Sequence, residues 1–136
     1  MLSEILFYPA PLPPPPQPPK TVQGVAGAWV EFHGCVRALE NDEKISALRY
    51  DIYEVMARRV LTAHIDMLTK KHGLLAVRFW HRSGVVPVGE AAVYAAIAAP
   101  HRREAFAALA ELMDLLKADV PIWKVDVMPA KGPGGL

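Results

Sequence analysis

From Ile45 to Tyr53 the chain alternates. Leu48, Tyr50 and Ile52 fall on one side of an extended backbone and Arg49, Asp51 and Tyr53 on the other, the period of a half-buried β-strand. At Glu54 the period changes. Met56, Val60, Ala63 and Met67 recur at helical spacing, Leu61, Ile65 and Leu68 widen the stripe, and Arg58, Arg59, Asp66 and Lys70 point away. This predicts a helix from Glu54 to His72, ended by Lys70-Lys71-His72-Gly73, cations and a glycine where a helix terminus favours both. A strand is expected at Leu74–His81, a turn-rich link over Arg82–Gly89, and a strand of small and apolar residues at Glu90–Ala98. Phe106, Leu109, Met113 and Leu116 mark a second helix, His101–Lys117. The residue before a proline is pushed out of the helical region, so Val120-Pro121 should release the chain into a last alternating strand, Ile122–Met128, with Lys124 the polar partner of Trp123 and Val125. Ahead of all these, Gly27–Phe32 reads as an aromatic and β-branched strand continuing through His33–Arg37, followed by a polar loop over Glu40–Lys44.

Leaving the first strand aside, the order is β-α-β-β-α-β. It predicts an α+β fold: a ferredoxin-like βαββαβ sandwich of α/β-hammerhead type, helices on one face of a mainly antiparallel sheet, with an extra N-terminal strand. Eight of the thirteen prolines fall within residues 1–20, behind the short apolar stretch Ile5-Leu6-Phe7-Tyr8. Such a run cannot donate ladder hydrogen bonds and reads as a polyproline arm, a spacer or connector in preference to a ligand for a proline-recognising domain. The partition is therefore an arm over 1–22, a single α+β domain over 23–129 and a flexible tail over 130–136.

Composition narrows the function classes. A chain of 136 residues with 52% hydrophobic residues can build one core. A net charge of +1 lacks the basic excess of a non-specific nucleic-acid binder, so a positive patch would be local and suited to small anions. Charges or prolines interrupt every apolar run, and Met1-Leu2-Ser3-Glu4 has no basic leader region, so neither a membrane span nor a secretory signal is expected. The one cysteine, Cys35, allows no intramolecular disulfide, which suits a reducing cytoplasm.

The candidate chemistry is cationic. His101 and Arg102 open the second helix, where cations oppose the dipole unless an anion binds the unpaired N–H groups. Arg37 follows a strand and Gly34, and offers another wall. Lys117 in the last turn of that helix and Lys124 beyond Pro121 flank one reversal, where crowded cations would favour an anion and lower a lysine's pKa toward acid–base use. The five histidines assemble no recognisable metal site, and Cys35 has no local base to activate it.

Gly34-Cys35-Val36-Arg37, His81-Arg82-Ser83-Gly84, Ala99-Pro100-His101-Arg102 with Ala105-Phe106, and Asp114-Leu115-Leu116-Lys117 leading to Pro121-Ile122-Trp123-Lys124-Val125-Asp126 resemble, in order and spacing, the large catalytic subunit of molybdopterin synthase. The resemblance implies sulfur transfer in molybdenum cofactor biosynthesis. A small ubiquitin-like partner ending in Gly-Gly carries a thiocarboxylate into the pocket, and two transfers turn cyclic pyranopterin monophosphate into the dithiolene, with no metal or separate cofactor. It further implies a homodimer within a heterotetramer, Lys117 and Lys124 as the essential lysines, and Arg37, His101 and Arg102 as contacts to the phosphorylated pterin. Three features depart from the pattern, one of them the loop Ala38-Leu39-Glu40-Asn41-Asp42, which in relatives is commonly richer in Asn and His. Cys35 stands where relatives usually carry a basic or polar residue. Relatives also continue past the Trp-Lys segment with an acidic, tryptophan-containing stretch that lends an arginine to the neighbouring subunit, a part for which Lys131 is available here.

Two other classes compete. A non-catalytic ligand- or protein-binding module on the same scaffold would need no Gly-Gly partner. RNA binding on the open sheet is disfavoured by the near-neutral charge and the lack of an aromatic RNA-binding pattern.

Overall fold

The computed structural model describes residues 2–130, so the expected tail lies outside the described residues apart from Ala130, and Lys131 lies outside them entirely. In chain order the elements are β1 (Leu2–Tyr8), a 3-10 turn (Lys20–Val22), β2 (Ala28–Cys35), β3 (Leu39–Glu40), β4 (Glu43–Ile52), α1 (Glu54–His72), β5 (Ala76–Arg82), β6 (Gly84–Pro87), β7 (Ala91–Ala99), α2 (Arg102–Asp119) and β8 (Ile122–Pro129). Both helices and the strand expected over Ile45–Tyr53 appear where periodicity put them. No helix among the described residues is long and apolar enough to cross a membrane.

The strands divide into two sheets rather than the one expected. The larger runs β1-β5-β7-β2, and the smaller has β4 at its centre, paired with β3, β6 and β8. A ferredoxin-like sheet would place β4 beside β7. That edge is instead taken by β2, antiparallel from Ala28↔Ala99 to Cys35↔Ala91, so β4 turns to β8 on one side and β6 on the other. The architecture is α+β, with the single-sheet topology corrected to two sheets. The Arg82–Gly89 link contributes β6, and the polar loop over Glu40–Lys44 closes to a two-residue hairpin turn. Asn41 and Asp42 there both have positive φ (51° and 66°), the conformation that matches the twist of paired strands.

The arm read over 1–22 also changes character. Residues 2–8 are a strand lying parallel to β5, from Leu2↔Ala76 to Tyr8↔Arg82. The proline run then crosses the sheet face turned away from the helices. Leu12 packs with Tyr8, Trp29, Trp80 and Tyr94 there, and Arg78 Nη1 donates to Gln17 O at 3.1 Å. Prolines suit such a strap, since they need no ladder partner. Two of the polar groups under it are paired: Trp80 Nε1 donates to Glu4 and Tyr94 Oη to Glu31, each at 2.7 Å.

On the opposite face the helices bury Ala57, Leu61, Ile65 and Leu68 of α1 and Ala105, Ala108, Leu109 and Leu112 of α2 against Phe79, Val77, Ala95 and Ile97. Each large aliphatic side chain so buried contributes about 1.5–3 kcal/mol. The α1 stripe is rotated from the expected one, because Met56 and Met67 are exposed while Ala57 and Leu61 face the sheet. α1 ends at Gly73 in the left-handed region, whose N–H donates to Thr69 O. In α2 Ala105, Ala108 and Leu112 take the deepest sheet contacts. The line Phe106, Leu109, Met113 and Leu116 is thereby left beside an open cavity, with Phe106 61% exposed.

Candidate functional site

That cavity, about 580 Å³, lies between α2, the ends of β2, β5 and β7, and the β4–β8 pair. Lys117 and Lys124 both line it, joined by Tyr50, His81, Cys35 and Asp114. The sequence-based expectation that the end of α2 and the last strand share one space is met in a single protomer.

Lys124 reaches the cavity through an irregularity. β8 pairs with β4 from Ile45↔Pro129 to Ile52↔Ile122, and its register slips between Arg49↔Asp126 and Tyr50↔Lys124, leaving Val125 unpaired. In an unbroken ladder Val125 would stand opposite Tyr50, and Lys124 opposite Asp51 on the far face. The bulge puts Lys124 on the Tyr50 side, a common use of bulges beside functional sites. The plain alternation expected over Ile122–Met128 is corrected accordingly. A variant lacking Val125 should therefore fold with a ladder that runs regularly from Ala47 to Ile52 and with Lys124 still opposite Tyr50. A crystal structure of it with Lys124 turned to the Asp51 face would refute this account of the strand.

The charges around the cavity are arranged against one another. Lys124 Nζ pairs with Glu40 Oε1 at 3.1 Å, which the β3–β4 hairpin folds back to that position. Burial first, and then the Glu40 carboxylate, push the Tyr50 phenol up, so it keeps its proton. His81 is 4% exposed, and burial lowers its pKa to about 4, so its imidazole is neutral at pH 7.

The other expected residues are not gathered here. Arg37 is exposed, two positions past Cys35, and does not line the cavity. His101 and Arg102 line a separate depression of about 540 Å³ with Gly27, Pro100, Arg103 and Glu104 at the start of α2. Eighteen helical residues separate the two ends by about 27 Å at 1.5 Å per residue. Tyr50 and His81 were not singled out as site residues from the sequence. Tyr50 read as a strand-face position, and His81 as part of a family motif.

The model of the MoaE protein family matches residues 18–119. The chain belongs to the MoaE family. The matched region stops short of β8, so Lys124 falls outside it while Lys117 lies within. This MoaE-family chain is 41% identical over 102 residues to the molybdopterin synthase catalytic subunit of Oryza sativa subsp. indica, a match covering 75% of this chain and 53% of that protein. To the molybdopterin synthase catalytic subunit of Thermoplasma volcanium it is 37% identical over 103 residues, 76% of this chain and 75% of that one. The chain thus spans about half the length of the rice relative. A solved structure of molybdopterin synthase from Staphylococcus aureus superposes with a TM-score of 0.73 at 29% identity, covering 95% of this chain and 92% of the other.

Proposed function

We propose that this MoaE-family chain is the catalytic subunit of a molybdopterin synthase. In this reading it transfers sulfur from the thiocarboxylated C-terminus of a small ubiquitin-like partner to cyclic pyranopterin monophosphate, forming the dithiolene. Two lysines on one cavity are the observation that carries the reading. Both leaving and attacking groups in such a transfer are anionic, and a fixed ammonium pair stabilises the charge that develops as the acyl group changes hands. Lys124, held by Glu40 on the bulged strand, is the acid–base or covalent-capture residue, and Lys117 its electrostatic partner. The apolar line from Phe106 to Leu116 gives the rest of the cavity a surface for the pterin and the partner's glycine tail.

The distance along α2 bears on assembly. Arg37, His101 and Arg102 are proposed to bind the pterin phosphate, yet the latter two lie a helix length from the lysines of their own protomer. A homodimer, with a small subunit on each protomer, is the arrangement in which a neighbour's helix start supplies that contact. No cofactor enters the reaction as proposed, and the cytoplasm is its proposed location.

Reconstitution tests the reading. Full-length protein mixed with a thiocarboxylated Gly-Gly partner and the cyclic pterin should yield the dithiolene, read by its oxidised fluorescent derivative. Binding of the pterin without any sulfur incorporation would favour a non-catalytic binding module instead.

A further inference from the structure

Besides its lysines the cavity holds a base with a fixed orientation. His81 Nδ1 lies 2.8 Å from Arg82 O, and a carbonyl only accepts, so Nδ1 carries the ring proton. Nε2 is then left as a lone pair with no protein partner among the described residues. The Tyr50 ring packs in a T-shaped arrangement with its centre 5.1 Å from that of the imidazole, and the Phe79 ring centre lies at 6.3 Å, which holds the imidazole plane. Tautomer, orientation and charge state are all set, as they are where a histidine is oriented by a third group to take a proton.

The sulfur transfer needs such an acceptor. Lys124 and Glu40 are engaged with each other, and Tyr50 keeps its proton. Asp114 is exposed at the cavity rim, where water competes for it. His81 alone among the charged and polar lining groups is buried.

We infer that His81 Nε2 is the general base that delivers water to the acyl–sulfur bond linking the partner's terminal glycine to the pterin, an inference that rests on the sulfur-transfer reading above. Attack of the thiocarboxylate sulfur on a pterin carbon makes a carbon–sulfur bond while a carbon–oxygen bond at that carbon breaks, the oxygen leaving with the electron pair and taking a proton from solvent, and the product is a thioester. Water then adds to the acyl carbon as Nε2 takes one of its protons. The acyl–sulfur bond breaks, its electron pair stays on the sulfur, and the pterin keeps a thiolate. The acyl carbon ends as the glycine carboxylate once its second proton passes to solvent, and nothing is oxidised or reduced. Lys117 and Lys124 face the oxyanion that forms between the two steps.

His81→Asn separates this role from a packing role, because its side-chain amide can still donate to Arg82 O while nothing replaces Nε2. With thiocarboxylated partner and cyclic pterin, the variant should accumulate a partner–pterin adduct, seen by intact mass, while dithiolene formation falls about 10²–10⁴-fold. His81→Ala should regain turnover as imidazole is added, which a purely structural residue would not do. His81→Gln, closer to the ring in length, carries the same measurement if the Asn variant melts early. Wild-type rates in the Asn or Gln variant, or equal loss of adduct and product in a folded variant, would overturn the base role. Absence of any carbon–sulfur bond formation with the wild-type protein would instead sink the sulfur-transfer reading, and the base role with it.

Discussion

Lys124→Ala is expected to reduce dithiolene formation by roughly 10³-fold or to background, while the protein folds as before. The ammonium stands on a bulged edge strand, half exposed and paired only with Glu40 at 3.1 Å, so its loss removes little packing. An exposed pair of this kind is worth about 0–1 kcal/mol to stability, far less than the expected effect on the reaction. The measurement is single-turnover sulfur transfer from the thiocarboxylated partner alongside a thermal melt. Turnover near the wild-type rate would remove the lysine from the chemistry. Lys117→Ala should cost less, about 10²-fold, because its position at the α2 terminus supports the charge without the reach given to Lys124.

The largest effect on stability is expected at Gly27. Its N–H is shared between Ala99 O and Pro100 O at 3.1 Å each, where β2 begins against the end of β7. A Cβ at this position would fall inside the van der Waals contact of Pro100 O, a backbone atom that no rotamer change can move aside. Gly27→Ala should therefore cost roughly 2–3 kcal/mol and lower Tm by about 10 °C. Because the same glycine lines the depression with His101 and Arg102, a weakened pterin interaction should accompany the loss. A melt unchanged by the substitution would show that the strand and the Pro100 turn separate at little cost.

What periodicity could reveal was local. α1, α2 and the alternation of β4 depend on neighbours within a few residues, and each was legible in the sequence. The pairing of β1 with β5 was hidden, since seven residues followed by a proline run carry no sign of a partner some seventy positions later. The same limit applies to the sheet division: nothing in β4 states that β2 will take the place beside β7. In the cavity, the two lysines could be placed together because a helix end and the following strand are close along the chain. The bulge that aims one of them could not, because it exists only in the match between two strands. Phe106, Leu109, Met113 and Leu116 were legible as an apolar line but not as a cavity wall, since Ala105 and Ala108 compete for the sheet and let the helix approach more closely.

The parallel pairing of residues 2–8 also bears on how the molecule is kept from its own copies. β5 lies between β1 and β7, so the N-terminal strand is what hides its second row of backbone N–H and C=O groups. A chain trimmed to the region shared with the family model would present the seven-residue strand Ala76–Arg82 as an open template for any other extended segment. Residues 2–8 thus serve as a guard against aggregation for a strand some seventy positions away, and the prolines behind them, unable to join a ladder, stop that guard from extending into a template of its own.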